Sequence, residues 1–110
     1  MKQLIALLIV ILIILSGAPS PAGAADVNQG AELFQIHCAG CHANGGNIIR
    51  RGKTLKQKAL KKYKVDSLEA IAALVTSGKN NMPAFQERLS APQVQAVSAY
   101  VLEQAAQDWP

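Results

Sequence analysis

The residues best suited to chemistry lie together in Cys38-Ala39-Gly40-Cys41-His42. Two cysteines separated by two residues, with a histidine directly after the second, form the C-x-x-C-H signature of covalent haem c attachment. Thiols one short turn apart can form thioethers with the two vinyl groups on one porphyrin edge, and the next imidazole can then bind the iron. The motif therefore predicts one covalently bound haem c, attached through Cys38 and Cys41, with His42 as proximal iron ligand.

Other chemistries are open to a C-x-x-C pair, namely half a zinc site, a redox-active dithiol or a disulfide. Zinc needs two further ligands, and the only other histidine, His37, is directly beside Cys38 and too crowded for a tetrahedral site. A thioredoxin-like dithiol needs a βαβ context, and no strand pattern is visible. A disulfide across two residues closes too short a loop to stabilise the chain much. Haem attachment is the favoured prediction.

The N-terminus has the features of an export signal. Lys2 precedes an apolar run of 12 residues from Leu4 to Leu15, and Ala22-Gly23-Ala24 is a cleavage site. As a helix the run spans about 18 Å, too short for a bilayer core of about 30 Å. We therefore predict that residues 1–24 are a cleaved signal rather than an anchor, which leaves one domain, 25–110, with no stable membrane insertion. The lack of an Arg- and Ser-rich transit segment favours a bacterial or plastid-encoded chain.

Positive charge is concentrated in residues 50–64, called the basic segment below. It contains eight of the 11 Lys and Arg residues and none of the seven carboxylates: Arg50, Arg51, Lys53, Lys56, Lys58, Lys61, Lys62 and Lys64. Such a run is either a solvated face or a patch that steers the protein toward an acidic partner surface. Nucleic-acid binding is disfavoured, because the chain is predicted to be exported and only Tyr63 could stack on bases.

Apolar residues recur at intervals of three to four, which predicts an all-α fold with about four short helices around the haem. The predicted helices are 27–37, 54–63, one that starts after Asp66 or Ser67 and ends at Gly78, and one capped by Ser90. The segment 79–89 between the last two helices is predicted to be irregular.

Met82 is the only methionine after residue 24, and it follows His42 by 40 residues, enough chain to wrap the haem. Pro83 disfavours a helix at this position. Met82 is either core filler or the sixth iron ligand, and the haem motif favours the ligand. With His42 and Met82 both on iron, the protein would transfer electrons and would not be an enzyme. A haem enzyme or gas sensor with an open sixth position is the rival hypothesis.

Over residues 25–110 the chain resembles the class I cytochromes c, and within them the cytochrome c6 family. The motifs that carry the resemblance are the Gly30…Phe34 helix, Cys38-Ala39-Gly40-Cys41-His42, Lys53-Thr54-Leu55, Asn80-Asn81-Met82-Pro83-Ala84-Phe85, Arg88-Leu89, Ala99-Tyr100-Val101-Leu102 and Trp109. The resemblance implies a small class I cytochrome c fold in which Gly30 and Phe34 cross Val97 and Tyr100.

The same resemblance implies an electron carrier of the thylakoid lumen, or the periplasm, that accepts from cytochrome f of the b6f complex and donates to photosystem I. A terminal oxidase, or another acceptor if the chain is a paralogue, is the alternative. Arg88 would lie near the haem edge, or else pair with a surface carboxylate. One departure is that residues 43–54 lack the proline that follows the haem motif in many class I cytochromes. We expect a carbonyl near Asn47 to accept the His42 N–H instead.

Overall fold

The computed structural model describes Gln3 and residues 27–110, so apart from Gln3 the predicted signal 1–24 lies outside the described residues. Residues 27–110 form five α-helical segments and one 3₁₀ turn, and none of them lies in an extended strand. The elements are α1 (Val27–His37), α2 (Ala39–His42), the 3₁₀ turn Ala43–Gly45, α3 (Gln57–Lys62), α4 (Leu68–Ser77) and α5 (Ala91–Ala106). The all-α prediction is confirmed. Within the described part of the chain, no helix is long and apolar enough to cross a membrane.

Helices α1 and α5 cross at a point where the two backbones touch. A Cβ added to Gly30 would lie 2.8 Å from the Cβ of Tyr100 and would overlap the carbonyl oxygen of Ala96. One turn further along α1, the Phe34 ring is buried, with its centroid 5.3 Å from that of Tyr100. Val97 is also buried here. The predicted crossing is confirmed, and it fixes the end of α1 that leads into the haem motif.

The predicted starts and ends of the later helices are confirmed. The Ser67 hydroxyl accepts a hydrogen bond from the Ala70 N–H at 3.1 Å, so Ser67 rather than Asp66 caps α4. Gly78 ends α4 with φ 68°, a left-handed conformation that glycine adopts readily. Ser90 and Gln93 form a reciprocal capping box at the start of α5, with hydrogen bonds of 2.9 and 3.3 Å.

The predicted start of α3 was wrong by three residues, since the helix begins at Gln57 rather than Thr54. The backbone of Leu55 is engaged elsewhere. Its N–H donates to the Gly45 carbonyl at 2.8 Å, and its carbonyl accepts from the Trp109 indole at 3.0 Å. Because these partners are distant in sequence, the apolar spacing of 54–63 could not reveal them.

One apolar core joins α3, α4 and α5 to the end of α1. Its buried members are Leu33, Phe34, Leu60, Ile71, Ala72, Val75, Phe85, Leu89, Val94, Val97, Val101 and Ala105. Seven of these twelve residues lie on α4 and α5, where apolar residues recur at intervals of three to four as predicted. Cys38 and Met82 pack against its edge, so the core positions the two chain segments that carry the predicted haem residues.

Candidate functional site

The haem motif forms a helical turn at the end of α1. The Cys38 N–H donates to the Phe34 carbonyl at 2.9 Å, and the Cys38 carbonyl accepts from Cys41 and His42 at 3.1 and 2.9 Å. Cys38 is half-buried and Cys41 is exposed. A Cβ on Gly40 would meet no atom within 4 Å, so the outer side of the turn is open. The turn thus holds both thiols and the imidazole on one rigid, accessible piece of backbone.

The electrostatics of Cys38 disfavour a reactive dithiol. Burial, with a smaller contribution from the nearby Cys41, raises the pKa of the Cys38 thiol to about 11. A reactive dithiol needs a thiolate, which a lowered pKa provides. Among the described residues, no three of the types His, Cys, Asp and Glu gather as a metal site would require.

His42 is oriented by a backbone carbonyl. Its Nδ1 lies 2.8 Å from the Gly46 carbonyl oxygen. Because a carbonyl oxygen can only accept, Nδ1 carries the proton and Nε2 keeps its lone pair for a metal. The expectation of an acceptor near Asn47 is confirmed, since Gly46 is the residue immediately before it.

Asn47 holds the loop that follows this acceptor. Its side-chain oxygen accepts from the Ile49 and Arg50 amides at 3.0 and 2.7 Å, and its amide nitrogen donates to the Lys53 carbonyl at 3.0 Å. From the sequence, Asn47 marked only the neighbourhood of the expected acceptor carbonyl. Its two short-range bonds form an Asx turn, which asparagine after a glycine pair could have suggested.

Met82 sits on a tight turn between α4 and α5. Lys79 and Met82 exchange two backbone hydrogen bonds of 3.0 Å around Asn80 and Asn81. The Phe85 N–H then donates to the Val75 carbonyl at 2.9 Å, which pins the rest of the loop to α4. The segment 79–89 is irregular, as predicted, but its hydrogen bonds fix the position of the half-buried Met82.

A single cavity of about 380 Å³ brings all four predicted site residues together. Cys38, Cys41, His42 and Met82 line it with mainly apolar neighbours, which include Phe34, Leu55, Leu60, Ile71, Leu74, Val75, Phe85, Val97 and Val101. A haem c requires two thiols on one turn, iron ligands and an apolar environment. The cavity offers the two thiols, an imidazole with a free Nε2, a thioether and apolar walls. The residues present therefore fit this cofactor.

Polar and charged side chains also border the cavity. Arg50, Lys53 and Tyr63 contribute from the basic segment, and Arg88 from the Met82 loop. The Arg88 guanidinium lies 5.5 Å from the Phe85 ring centroid, a cation–π contact. This agrees with the expected place of Arg88 near the haem.

An all-α fold with a C-x-x-C-H turn and a methionine loop on one apolar cavity defines a class I c-type cytochrome. Comparisons with known proteins agree. The family model described as "Cytochrome C oxidase, cbb3-type, subunit III" matches residues 25–101. A cytochrome c6-like protein of Nostoc sp. (strain PCC 7120) is 55% identical over 98% of this chain and 97% of its own length. The cytochrome c6 of Synechococcus sp. (strain PCC 6312) is 44% identical over 99% of this chain and 98% of its own.

The crystal structure of cytochrome c6C from Synechococcus sp. PCC 7002 has 59% sequence identity and a TM-score of 0.72, over 74% of this chain and 99% of that one. Cytochrome c6 from the diatom Phaeodactylum tricornutum has 44% identity and a TM-score of 0.75, over 76% and 99%. The chain belongs to the cytochrome c6 family. Members of this family are electron-transfer proteins rather than enzymes, and they carry one covalently bound haem c.

Proposed function

We propose that this protein carries single electrons from cytochrome f of the b6f complex to photosystem I. In this proposal Cys38 and Cys41 attach the haem, and His42 and Met82 bind its iron. Residues 1–24 act as the signal that exports domain 25–110 to the thylakoid lumen or the periplasm. The observation that carries the proposal is the placement of all four site residues around one apolar cavity.

When bound, the haem supplies a one-electron couple between ferric and ferrous iron. His42 offers Nε2 because the Gly46 carbonyl holds the proton on Nδ1. Met82 offers a thioether, a ligand that favours ferrous iron and raises the reduction potential. If His42 and Met82 both bind the iron, the chain would leave no iron position for a substrate, which supports electron transfer over oxygen chemistry.

The second candidate function is that of a paralogue of the main carrier, with another acceptor such as a terminal oxidase. The sequence identities to named relatives favour it. In Nostoc sp. (strain PCC 7120), the protein named cytochrome c6-like is 55% identical over 98% of this chain, and the one named cytochrome c6 is 53% identical over 82%. The cytochrome c6C structure also has higher identity to this chain than the diatom cytochrome c6 structure, 59% against 44%.

Absorption spectra of the exported protein test the site. We expect a haem c spectrum in both redox states, and in the ferric protein the weak far-red band of methionine–iron ligation. Met82→Ala should keep the haem but lose this band, and its ferrous form should bind carbon monoxide. Gln86→Ala, an exposed change in the same loop, should match the wild type. A wild-type protein with haem but without the band contradicts Met82 ligation and favours the sensor or enzyme hypothesis. A colourless protein contradicts haem attachment.

Electron-transfer kinetics separate the two acceptors. The ferrous protein is mixed with purified photosystem I, and re-reduction of the flash-oxidised reaction centre is followed. A parallel assay measures its oxidation by a terminal oxidase. Fast, saturable reduction of photosystem I supports the main-carrier proposal. If the terminal oxidase oxidises the ferrous protein and photosystem I does not, the result supports the paralogue hypothesis.

A further inference from the structure

The C-terminal segment reaches the turn that orients His42, and Trp109 makes the connection. Its indole Nε1 donates to the Leu55 carbonyl at 3.0 Å. The flat face of the indole covers Gly45, since a Cβ added there would lie 2.5 Å from three of its ring atoms. Trp109 thus touches the 3₁₀ turn on one side and the chain entering α3 on the other.

The same turn carries the acceptor of the His42 proton. The Gly45 carbonyl accepts from the Leu55 N–H at 2.8 Å, which ties the turn to the residue bonded by Trp109. Gly46 follows directly: its N–H donates to the Ala43 carbonyl at 3.0 Å, and its own carbonyl accepts from His42 Nδ1 at 2.8 Å. A shift of Gly45 would therefore move the Gly46 carbonyl relative to His42.

The position of the indole is itself fixed by strong constraints. Trp109 has φ 53°, a left-handed conformation that is unfavourable for a bulky side chain. The surrounding contacts maintain it, because the ring centroid lies 5.1 Å from that of Phe34 and 6.1 Å from that of Tyr100. These two rings belong to the α1–α5 crossing. The indole therefore packs between this rigid crossing and the 3₁₀ turn, and it fixes the position of the turn relative to the two helices.

We propose that Trp109 is a positioning residue for His42: it fixes the Gly45–Gly46 turn so that the Gly46 carbonyl holds the Nδ1 proton. This inference rests on the proposed role of His42 as iron ligand. A hydrogen bond from Nδ1–H makes an imidazole a stronger electron donor to its metal. Loosening the turn should therefore weaken that bond, make His42 a weaker donor and raise the reduction potential.

The test uses the fact that the chain has a single tryptophan. Biosynthetic replacement of tryptophan by β-(benzothien-3-yl)alanine changes this one residue, keeps the ring shape and removes only the N–H donor. Trp109→Phe is the second variant, which also reduces the cover over Gly45. Tyr100→Phe is the matched control, because it alters the same aromatic cluster but leaves the bond to Leu55 in place. All are prepared as the haem-loaded protein.

Two properties are measured: the exchange rate of the His42 Nδ1 proton, by NMR of the ferrous protein, and the reduction potential. In both Trp109 variants we expect the Nδ1 proton to exchange at least about fivefold faster, the factor that corresponds to loss of one average hydrogen bond. We also expect an upward shift in the reduction potential. The Tyr100→Phe control should match the wild type in both.

Wild-type exchange and potential in both Trp109 variants, even with a lower melting temperature, would make Trp109 a core residue only and overturn the inference. An equal change in the Tyr100→Phe control would overturn it too, because the effect would then belong to the whole cluster. A wild-type protein in which His42 does not bind iron contradicts the proposed function itself. That failure is recognised separately, because it appears in the wild-type spectrum before any variant is made.

Discussion

The backbone of Gly30 lies directly against Tyr100, with only 2.8 Å between a hypothetical Gly30 Cβ and the Tyr100 Cβ. The nearby Ala96 carbonyl oxygen is part of the α5 backbone, so it cannot move aside as a flexible side chain could. A side chain at Gly30 must push the two helices apart at the crossing that precedes the haem motif.

Gly30→Ala should therefore destabilise the haem-loaded protein by about 1–3 kcal/mol, despite the better helix propensity of alanine. The free energy of unfolding is measured by urea titration. Gly52→Ala is the matched control: Gly52 lies in an exposed turn, where an added Cβ would meet only the Tyr63 hydroxyl, at an ordinary contact distance of 3.9 Å, and we expect nearly unchanged stability. Equal stability of the two variants would contradict the close approach of α1 and α5.

Asn47→Ala removes three hydrogen bonds that hold the loop 47–53. We expect a loss of about 1–3 kcal/mol in unfolding free energy, since each neutral bond contributes about 1 kcal/mol and the three are not fully additive. Amide hydrogen exchange at Ile49 and Arg50 should also accelerate. Asn47→Asp keeps the acceptor for these two amides but loses the donor to the Lys53 carbonyl, so its effect should be intermediate. Wild-type exchange in Asn47→Ala would show that the loop is held by other contacts.

Ser98 is a polar residue on α5 that is fully buried. Among the described residues, its hydroxyl is the one buried side-chain polar group that has no hydrogen-bond partner. An unsatisfied buried hydroxyl costs about 1–3 kcal/mol, so Ser98→Ala should leave stability unchanged or raise it by about 1 kcal/mol. The neighbouring Val97→Ala, which removes buried methyl groups, should instead lose about 2 kcal/mol. Thermal unfolding of the two variants makes the comparison, and a large loss in Ser98→Ala would indicate that its hydroxyl is bonded.

Local sequence patterns were sufficient to predict most of the fold. The cap at Ser90, the termination at Gly78 and the three-to-four spacing of apolar residues on α4 and α5 each depend on residues within a few positions of one another, and each is present as predicted. The four predicted haem residues could also be identified from the sequence, because C-x-x-C-H is a local motif and Met82 is the only methionine after the predicted signal. The structure places all four around one cavity, in agreement with the motif, and their roles as haem and iron ligands stay predictions.

Features that depend on distant contacts were missed. The late start of α3 follows from the bond between Trp109 and Leu55, which are 54 residues apart. The spacing of apolar residues along the chain cannot predict a contact between residues so far apart in sequence. The resemblance to a family marked Trp109 as characteristic but gave no physical role for it. Only the three-dimensional placement of Gly45 beneath the indole connects this residue with His42.

The basic segment contains seven exposed cations and the half-buried Lys53. Near the cavity, the Lys53 and Lys62 ammonium groups lie 5.0 and 5.5 Å from the Tyr63 ring centroid, so positive charge is held beside a residue that lines the candidate haem site. A steering patch at this place would speed encounter with an acidic partner and orient the cavity toward it. A solvated face would do neither.

Exchange of three exposed lysines for glutamine (Lys58→Gln, Lys61→Gln and Lys62→Gln together) should slow the bimolecular reduction of photosystem I about three- to tenfold at low salt. The difference should vanish near 1 M salt, where screening acts within about 3 Å. The matched control lowers the net charge by the same amount on α5 and at the residue directly after it, through Gln95→Glu, Ala106→Glu and Gln107→Glu at exposed positions. If the segment steers, the control slows the reaction much less. Equal slowing by both triple variants would mean that net charge alone acts, and unchanged rates in the lysine variant would leave the basic segment as a solvated face.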